Sequence, residues 1–145
     1  MDIRHDRPTA PVDLGDDDPP VTSVMTAHLV AITPDAPLCT ALRLMALRHV
    51  RHLPVLDEQR CIGVVGETDL VHAVAVGGPL VVGPLARPVP MLPVTARRAD
   101  TATAILAGDV DAALVVDGDR LVGIVTATDL VRSLAGGPHD RQTTR

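Results

Sequence analysis

A mixed α/β (α+β) fold of two pseudo-symmetric β-α-β-β-α repeats, packed sheet to sheet, is predicted by three observations. First, Gly63-Val64-Val65-Gly66-Glu67-Thr68-Asp69-Leu70 returns as Gly123-Ile124-Val125-Thr126-Ala127-Thr128-Asp129-Leu130 at a constant offset, 129 − 69 = 60 and 123 − 63 = 60. Second, the apolar pattern alternates between strand and helix periods in the same order in both halves. Third, neither half of a 145-residue chain can bury a core alone, so the halves must share one.

Residues 1–20 read as an acidic, proline-rich tail, with Pro8, Pro11, Pro19, Pro20 and the run Asp16-Asp17-Asp18. Repeat 1 covers 21–78. It opens with Val21 to Met25 and a short strand, Leu29-Val30-Ala31-Ile32. Thr33-Pro34-Asp35-Ala36-Pro37 turns the chain into a helix, since proline is tolerated in a first helical turn. Leu38, Ala41, Leu42 and Met45 then lie on one helical face. A strand, Leu53 to Leu56, and a polar turn, Asp57 to Arg60, lead to a second strand, Cys61 to Val65. The following helix, Thr68 to Val76, is stopped by Gly77-Gly78.

Repeat 2 covers 79–137 in the same order. Val82 to Leu85 is its lead-in, Met91-Leu92-Pro93 its turn, and Ala99, Ala102 and Leu106 carry its first helix. Ala113 to Val116, Asp117-Gly118-Asp119-Arg120 and Leu121 to Val125 make a hairpin. A helix from Thr128 to Ala135 closes it before Gly136-Gly137, and 138–145 is a second polar tail.

Composition limits function. Net charge is −5, all 13 basic residues are arginine, and there is no aromatic residue. Nucleic acid is therefore not an expected partner: there is no basic excess and no stacking platform. The core must be built from Leu, Val, Ile, Ala and Met, so stability comes from many small contacts and a homodimer is expected to add buried surface. Cys39 and Cys61 sit in apolar patterns and read as reduced core residues. No apolar run approaches the roughly 18 residues of a membrane span, and no signal segment opens the chain, so a cytoplasmic location is expected. His49 and His52 are three apart with no third ligand at fitting spacing, so no metal is expected. Without a nucleophile–base pair or a Gly-rich phosphate loop, no catalysis is expected either.

The strand ending in Gly123, Thr126, Asp129 and Leu130, together with Arg51-His52-Leu53-Pro54-Val55 leading to Asp57, resembles the cystathionine-β-synthase (CBS) domain. Two such domains make a Bateman module, and the resemblance spans about Val21 to Ala135. It implies a regulatory role in which an adenine nucleotide (AMP, ADP or ATP) or another adenosyl ligand binds between the repeats. It also implies that the module dimerises.

The resemblance places the ribose on Asp129, with Thr126 beside the ribose or first phosphate. The chemistry fits, because a carboxylate accepts two hydrogen bonds from vicinal hydroxyls. Thr128 and the opening of the last helix favour anions, although Thr128-Asp129 also makes a good helix start without any ligand. Phosphate contacts fall to Arg51 and His52 of the other repeat, a planar donor fork and a ring N–H. Leu92, Val110 and Ile124 are expected walls for adenine, with backbone near Leu92 and Ala112 reading its edge.

A second, weaker cleft would use Asp69, Thr68 and Thr33. Gly66 removes its motif hydroxyl and Asp111-Ala112 replaces Arg51-His52, while in the main cleft Leu92 stands where repeat 1 has Thr33, so the adenine slot lacks a side-chain hydroxyl. With Glu67 beside the weaker cleft, carboxylates would face any phosphate there, so one occupied site per chain is expected. The alternative reading is a ligand-free dimerisation or protein-interaction module that keeps the motif as a fold signature.

Overall fold

The computed structural model describes residues 18–136, so the tails at 1–17 and 137–145 lie outside the described residues. In chain order the elements are α1 (Leu38–Arg48), β1 (His52–Asp57), β2 (Arg60–Gly66), α2 (Glu67–Val76), β3 (Met91–Pro93), α3 (Arg98–Ala107), β4 (Ala112–Asp117), β5 (Arg120–Thr126) and α4 (Ala127–Gly136). Short 3₁₀ turns at Val21–Ser23 and Gly83–Leu85 sit in the two lead-ins.

Helix α1 buries Leu38, Ala41 and Met45, the i, i+3, i+7 face that the sequence marks. Helix α2 ends as its glycines require: Gly77 is left-handed at φ 71°, and the Gly78 N–H reaches back to the Ala73 carbonyl at 2.8 Å. Strands β1 and β2 form an antiparallel pair, and β3-β4-β5 form a three-stranded sheet with β3 parallel to β4. Both hairpins shift register at the same place, between Val55 and Leu56 and between Val115 and Val116.

Several sequence expectations change. Leu29 to Ala31 is not a strand; Ile32 alone makes a bridge, to Val55, and its counterpart in repeat 2 is Leu92, paired with Val115. Leu92 thus matches Ile32 rather than Thr33, and Met91-Leu92-Pro93 is a strand rather than a turn. Helix α3 turns inward on Thr101 and Ile105, while Ala99 is exposed and Leu106 is 85% exposed. A threonine can occupy that core position because its hydroxyl donates to the Arg97 carbonyl at 3.0 Å.

The cysteines also divide: Cys39 is exposed on α1, and only Cys61 is partly buried. Burial pushes the Cys61 thiol up, so it stays protonated as it donates to the Gly63 carbonyl at 3.4 Å. Finally, residues 18–20 are not loose tail. Asp18 accepts the Ala99 N–H at 2.8 Å, the Pro19 carbonyl accepts that of Arg98 at 2.9 Å, and Pro20 bridges Arg97, so this segment caps α3.

Each lead-in serves the opposite repeat. Val21 and Val24 complete the core of Ala96, Ile105, Ala113, Val115 and Val125, whereas Val82, Leu85 and Ala86 pack into the core around Met45, Leu53 and Leu70. A third cluster, Val64, Leu114 and Ile124, joins the two sheets at the seam. There Arg87 and Val64 exchange both backbone hydrogen bonds at 2.9 Å, and Thr26 and Ile124 do the same at 2.9 and 3.1 Å.

The crossing is tight. A Cβ at Gly63 (φ 153°) would stand 2.6 Å from the Arg87 carbonyl oxygen, a backbone atom held by the Val64 pairing. Gly63→Ala is expected to cost about 1–3 kcal/mol, read as a lowered urea midpoint by far-ultraviolet circular dichroism.

Candidate functional site

Two cavities open between the repeats, and the pseudo-symmetry relates part of their linings: Val64 to Ile124, Val110 to Val50 and Arg87 to Thr26. The larger, about 380 Å³, lies against Gly66, Thr68 and Asp69 of the first motif and against Val110 and Asp111 of the other repeat. The smaller, about 240 Å³, is bounded by Thr26, Leu29, Val30, Val50, Pro54 and Ile124.

Their charges are sorted. The larger cleft carries four carboxylates, Glu67, Asp69, Asp109 and Asp111, against Arg51, Arg87 and His52. Three of those carboxylates are paired: Asp69 with Arg87 at 2.8 Å, Asp111 with His52 at 3.0 Å, and Glu67 with Arg51 at 3.7 Å. The smaller cleft carries Arg48, His28 and His52 and no carboxylate.

The expected ligand residues do not all converge. Arg51 lines the larger cleft with its side chain 82% exposed, so the structure sets it beside the first motif rather than the second. Val110 also lines the larger cleft, and Ile124 the smaller; His52 borders both. Ala112 is fully buried and pairs with Thr126, and Leu92 lines neither cavity. Thr33 donates its hydroxyl to Asp35 at 2.7 Å and lines neither cavity. The wall positions matching Val110 and Leu92 beside the second motif are Val50 and Ile32 (110 − 60 and 92 − 60), and of these Val50 lines the smaller cleft.

Thr126, Thr128 and Asp129 stand at the junction of β5 and α4. Thr126 shares a strand face with Ile124, which lines the smaller cleft, but Thr126, Thr128 and Asp129 themselves line neither cavity. Asp129 is 7% exposed, and its Oδ2 accepts the Thr126 N–H at 3.0 Å while Thr126 Oγ1 accepts the Asp129 N–H at 3.3 Å. This is a reciprocal capping box, Thr-x-x-Asp. Arg132 donates to Oδ1 at 3.4 Å, and a carboxylate so placed keeps lone pairs for further donors. Thr128 is exposed in the first turn of α4.

In the first motif Gly66 has no hydroxyl, α2 has no side-chain cap, and Asp69 turns instead to the Arg87 fork, Nε to Oδ2 at 2.8 Å and NH2 to Oδ1 at 3.1 Å. Sequence reasoning missed Arg87, Arg48 and His28. Arg48 and His28 sit close before the recognised elements. Arg87 reaches its cleft only through its bridge to Val64, which no local pattern signals.

A two-repeat α+β module with a cleft on each side of its seam defines the class. The chain belongs to the CBS domain family, whose model matches residues 21–76 and 82–136. Among solved structures it is similar to Hypoxic Response Protein I with two coordinated zinc ions, at 25% identity and TM-score 0.66 over 79% of this chain and 98% of that one. It is similar to the CBS domain of the bacterial CNNM/CorC family Mg²⁺ transporter in complex with ATP, at 25% identity and TM-score 0.72 over 81% and 88%. A hemolysin-like protein containing a CBS domain, from Oenococcus oeni PSU, shares the fold at 21% identity and TM-score 0.75 over 85% and 95%. None of the curated proteins matches the chain. Among the described residues no group of three His, Cys, Asp or Glu side chains is placed to hold a metal ion, and no helix is long and apolar enough to cross a membrane.

The capping difference is directly testable. Gly66 has extended backbone (φ −108°, ψ 153°), and a Cβ there meets nothing closer than 3.9 Å. Gly66→Thr is expected to stabilise by about 0.5–1 kcal/mol, by adding a cap and reducing unfolded-chain freedom. The readout is a raised thermal midpoint; an unchanged or lowered one counts against the capping-box account.

Proposed function

We propose that this chain is a cytoplasmic, non-catalytic regulatory module that binds an adenine nucleotide (AMP, ADP or ATP) or a related adenosyl ligand. The site is the smaller cleft beside Thr126 and Asp129. The observation that carries this is the charge sorting: the side chains lining this cleft include Arg48, His28 and His52 and no carboxylate, although His52 is held by Asp111 from the other cleft and Asp129 belongs to the adjoining motif, and the walls are aliphatic. Its volume of about 240 Å³ suits a base and ribose, with phosphates extending outward; whole-ligand pockets run to roughly 300–1,000 Å³.

In this reading the base lies against Val30, Val50 and Ile124. Asp129 accepts the ribose hydroxyls with the lone pairs left by its capping role, and Thr126 adds its hydroxyl. Phosphate is held by Arg48 and His52, with the N-terminus of α4 and Thr128 adding favourable dipole and donor. The ATP complex of the similar transporter CBS domain supports the ligand class. Occupancy biases the relative setting of the repeats by the difference in affinity between settings, and a partner reads that bias.

Because the chain has no aromatic residue, it is nearly transparent in the near ultraviolet, so a co-purified nucleotide shows as a band released on denaturation. Titration calorimetry with AMP and adenosine tests the roles. Asp129→Ala is expected to abolish binding of both while far-ultraviolet circular dichroism keeps its shape. Arg48→Ala is expected to weaken AMP about tenfold more than adenosine, the scale of one lost charged hydrogen bond. Arg51→Ala, on the other cleft, leaves AMP within about twofold. Equal losses of AMP and adenosine on Arg48→Ala would remove the phosphate role.

A second observation favours the interaction reading alongside this one. Val71 and Val74 on α2 and Val131 and Leu134 on α4 are 52–69% exposed at positions exactly one repeat apart (131 − 71 = 60, 134 − 74 = 60). Matched apolar faces on two helices suit a homodimer. Multi-angle light scattering is expected to give twice the chain mass, and Val74→Asp with Leu134→Asp the single mass. A monomeric wild type rejects the dimer.

A further inference from the structure

The clefts are equivalent in backbone and opposite in how they use their aspartates. Arg87 and Val64 exchange both backbone hydrogen bonds at one cleft, and Thr26 and Ile124 exchange the same pair at the other. Ile124 is Val64 one repeat later (124 − 64 = 60), so Thr26 occupies the place of Arg87. Each lines its own cavity. The Thr26 side chain makes no hydrogen bond to the motif aspartate, and Asp129 stays in its capping box. Arg87 does reach it: both oxygens of Asp69 are taken by the guanidinium fork, at 2.8 and 3.1 Å.

We propose that Arg87 is a built-in occupant of the larger cleft, a specificity-determining residue that closes it to ribosides and limits the module to one ligand per chain. The inference rests on the nucleotide reading of the smaller cleft. A vicinal diol binds a carboxylate bidentately, across both oxygens at once, and at Asp69 a single guanidinium already spans that edge, whereas at Asp129 the two oxygens are met by separate donors, the Thr126 N–H and a 3.4 Å contact from Arg132. At Asp69 the diol's neutral hydroxyls would replace a charge-assisted, bidentate pair, the stronger of the two arrangements. A phosphate could not draw Arg87 away without approaching Glu67, Asp109 and Asp111 in the same cleft. The closure is therefore maintained by the fork at the ribose end and by like charge at the phosphate end.

Arg87→Thr, which installs the residue of the open cleft, is the test. Its backbone pairing to Val64 does not involve the side chain, and Arg87→Gln serves as a second variant that keeps an unbranched polar stem while losing the charged fork. Adenosine is the probe, because it carries the diol without phosphate. Calorimetric stoichiometry is expected to rise by one adenosine per chain over the wild type in both variants, with melting curves confirming the fold. A stoichiometry equal to that of the wild type overturns the proposal. If the wild type binds no adenosine, the nucleotide reading of the smaller cleft fails on its own, while a rise from none to one still establishes the role of Arg87.

Discussion

The exchange of lead-in segments between repeats is the constraint on which the molecule depends. Val21 and Val24, from the start of repeat 1, are fully buried or nearly so in the core of repeat 2, and Val82 fills the equivalent place in repeat 1. With no aromatic side chain, each core is a sum of small aliphatic contacts, and losing a lead-in would open a wall that no neighbour could refill. Neither repeat is therefore a self-sufficient core. The same crossing makes the clefts, since the residues that pair with Val64 and Ile124 are also the ones that face each cavity.

Backbone symmetry with side-chain divergence follows. The hairpins bulge at the same step, and the seam bridges repeat with near-identical distances. Backbone pairing alone does not distinguish the clefts; four exchanged positions do. Gly66 stands for Thr126, Arg51 for Asp111, His52 for Ala112 and Arg87 for Thr26. The first exchange releases Asp69 from a capping box, and the last captures it with a guanidinium. The other two set opposite charges across the seam, where they meet as the His52–Asp111 contact at 3.0 Å. A duplicated scaffold thus keeps its fold while one cleft is lined by basic and aliphatic side chains and the other pairs most of its charges internally.

Much of this was legible in the sequence because it is written locally. The constant offset, the helical face of α1, the hairpins and the glycine stop of α2 each depend on a few adjacent residues. What was not legible depends on long-range packing. Leu29 and Val30 look like a strand because they are apolar, but they are used to line a cleft and pack against the cores. The face of α3 was misjudged because a buried threonine scores as polar until its hydroxyl is bonded to Arg97. At the site, the motif itself was readable, whereas the pairing of motif with basic residues was not. Arg51 follows the motif logic of the resemblance and yet faces the other cleft, and Arg87 is an arginine between alanine and proline with no local mark.

The position of His52 ties the clefts together. It lines the smaller cavity while its Nε2 contacts Asp111 in the larger one, with its side chain only 17% exposed. An anion drawn to His52 from the smaller cleft competes with Asp111 for the same imidazole, so its binding free energy includes the loss of a cross-repeat contact. Thermodynamic linkage then runs both ways: whatever strengthens the His52–Asp111 contact weakens the anion, and the anion loosens the seam. The larger cleft need not bind anything to take part. In the proposed reading its two cross-repeat pairs, Arg87–Asp69 and His52–Asp111, oppose the change of setting that a ligand in the smaller cleft would drive.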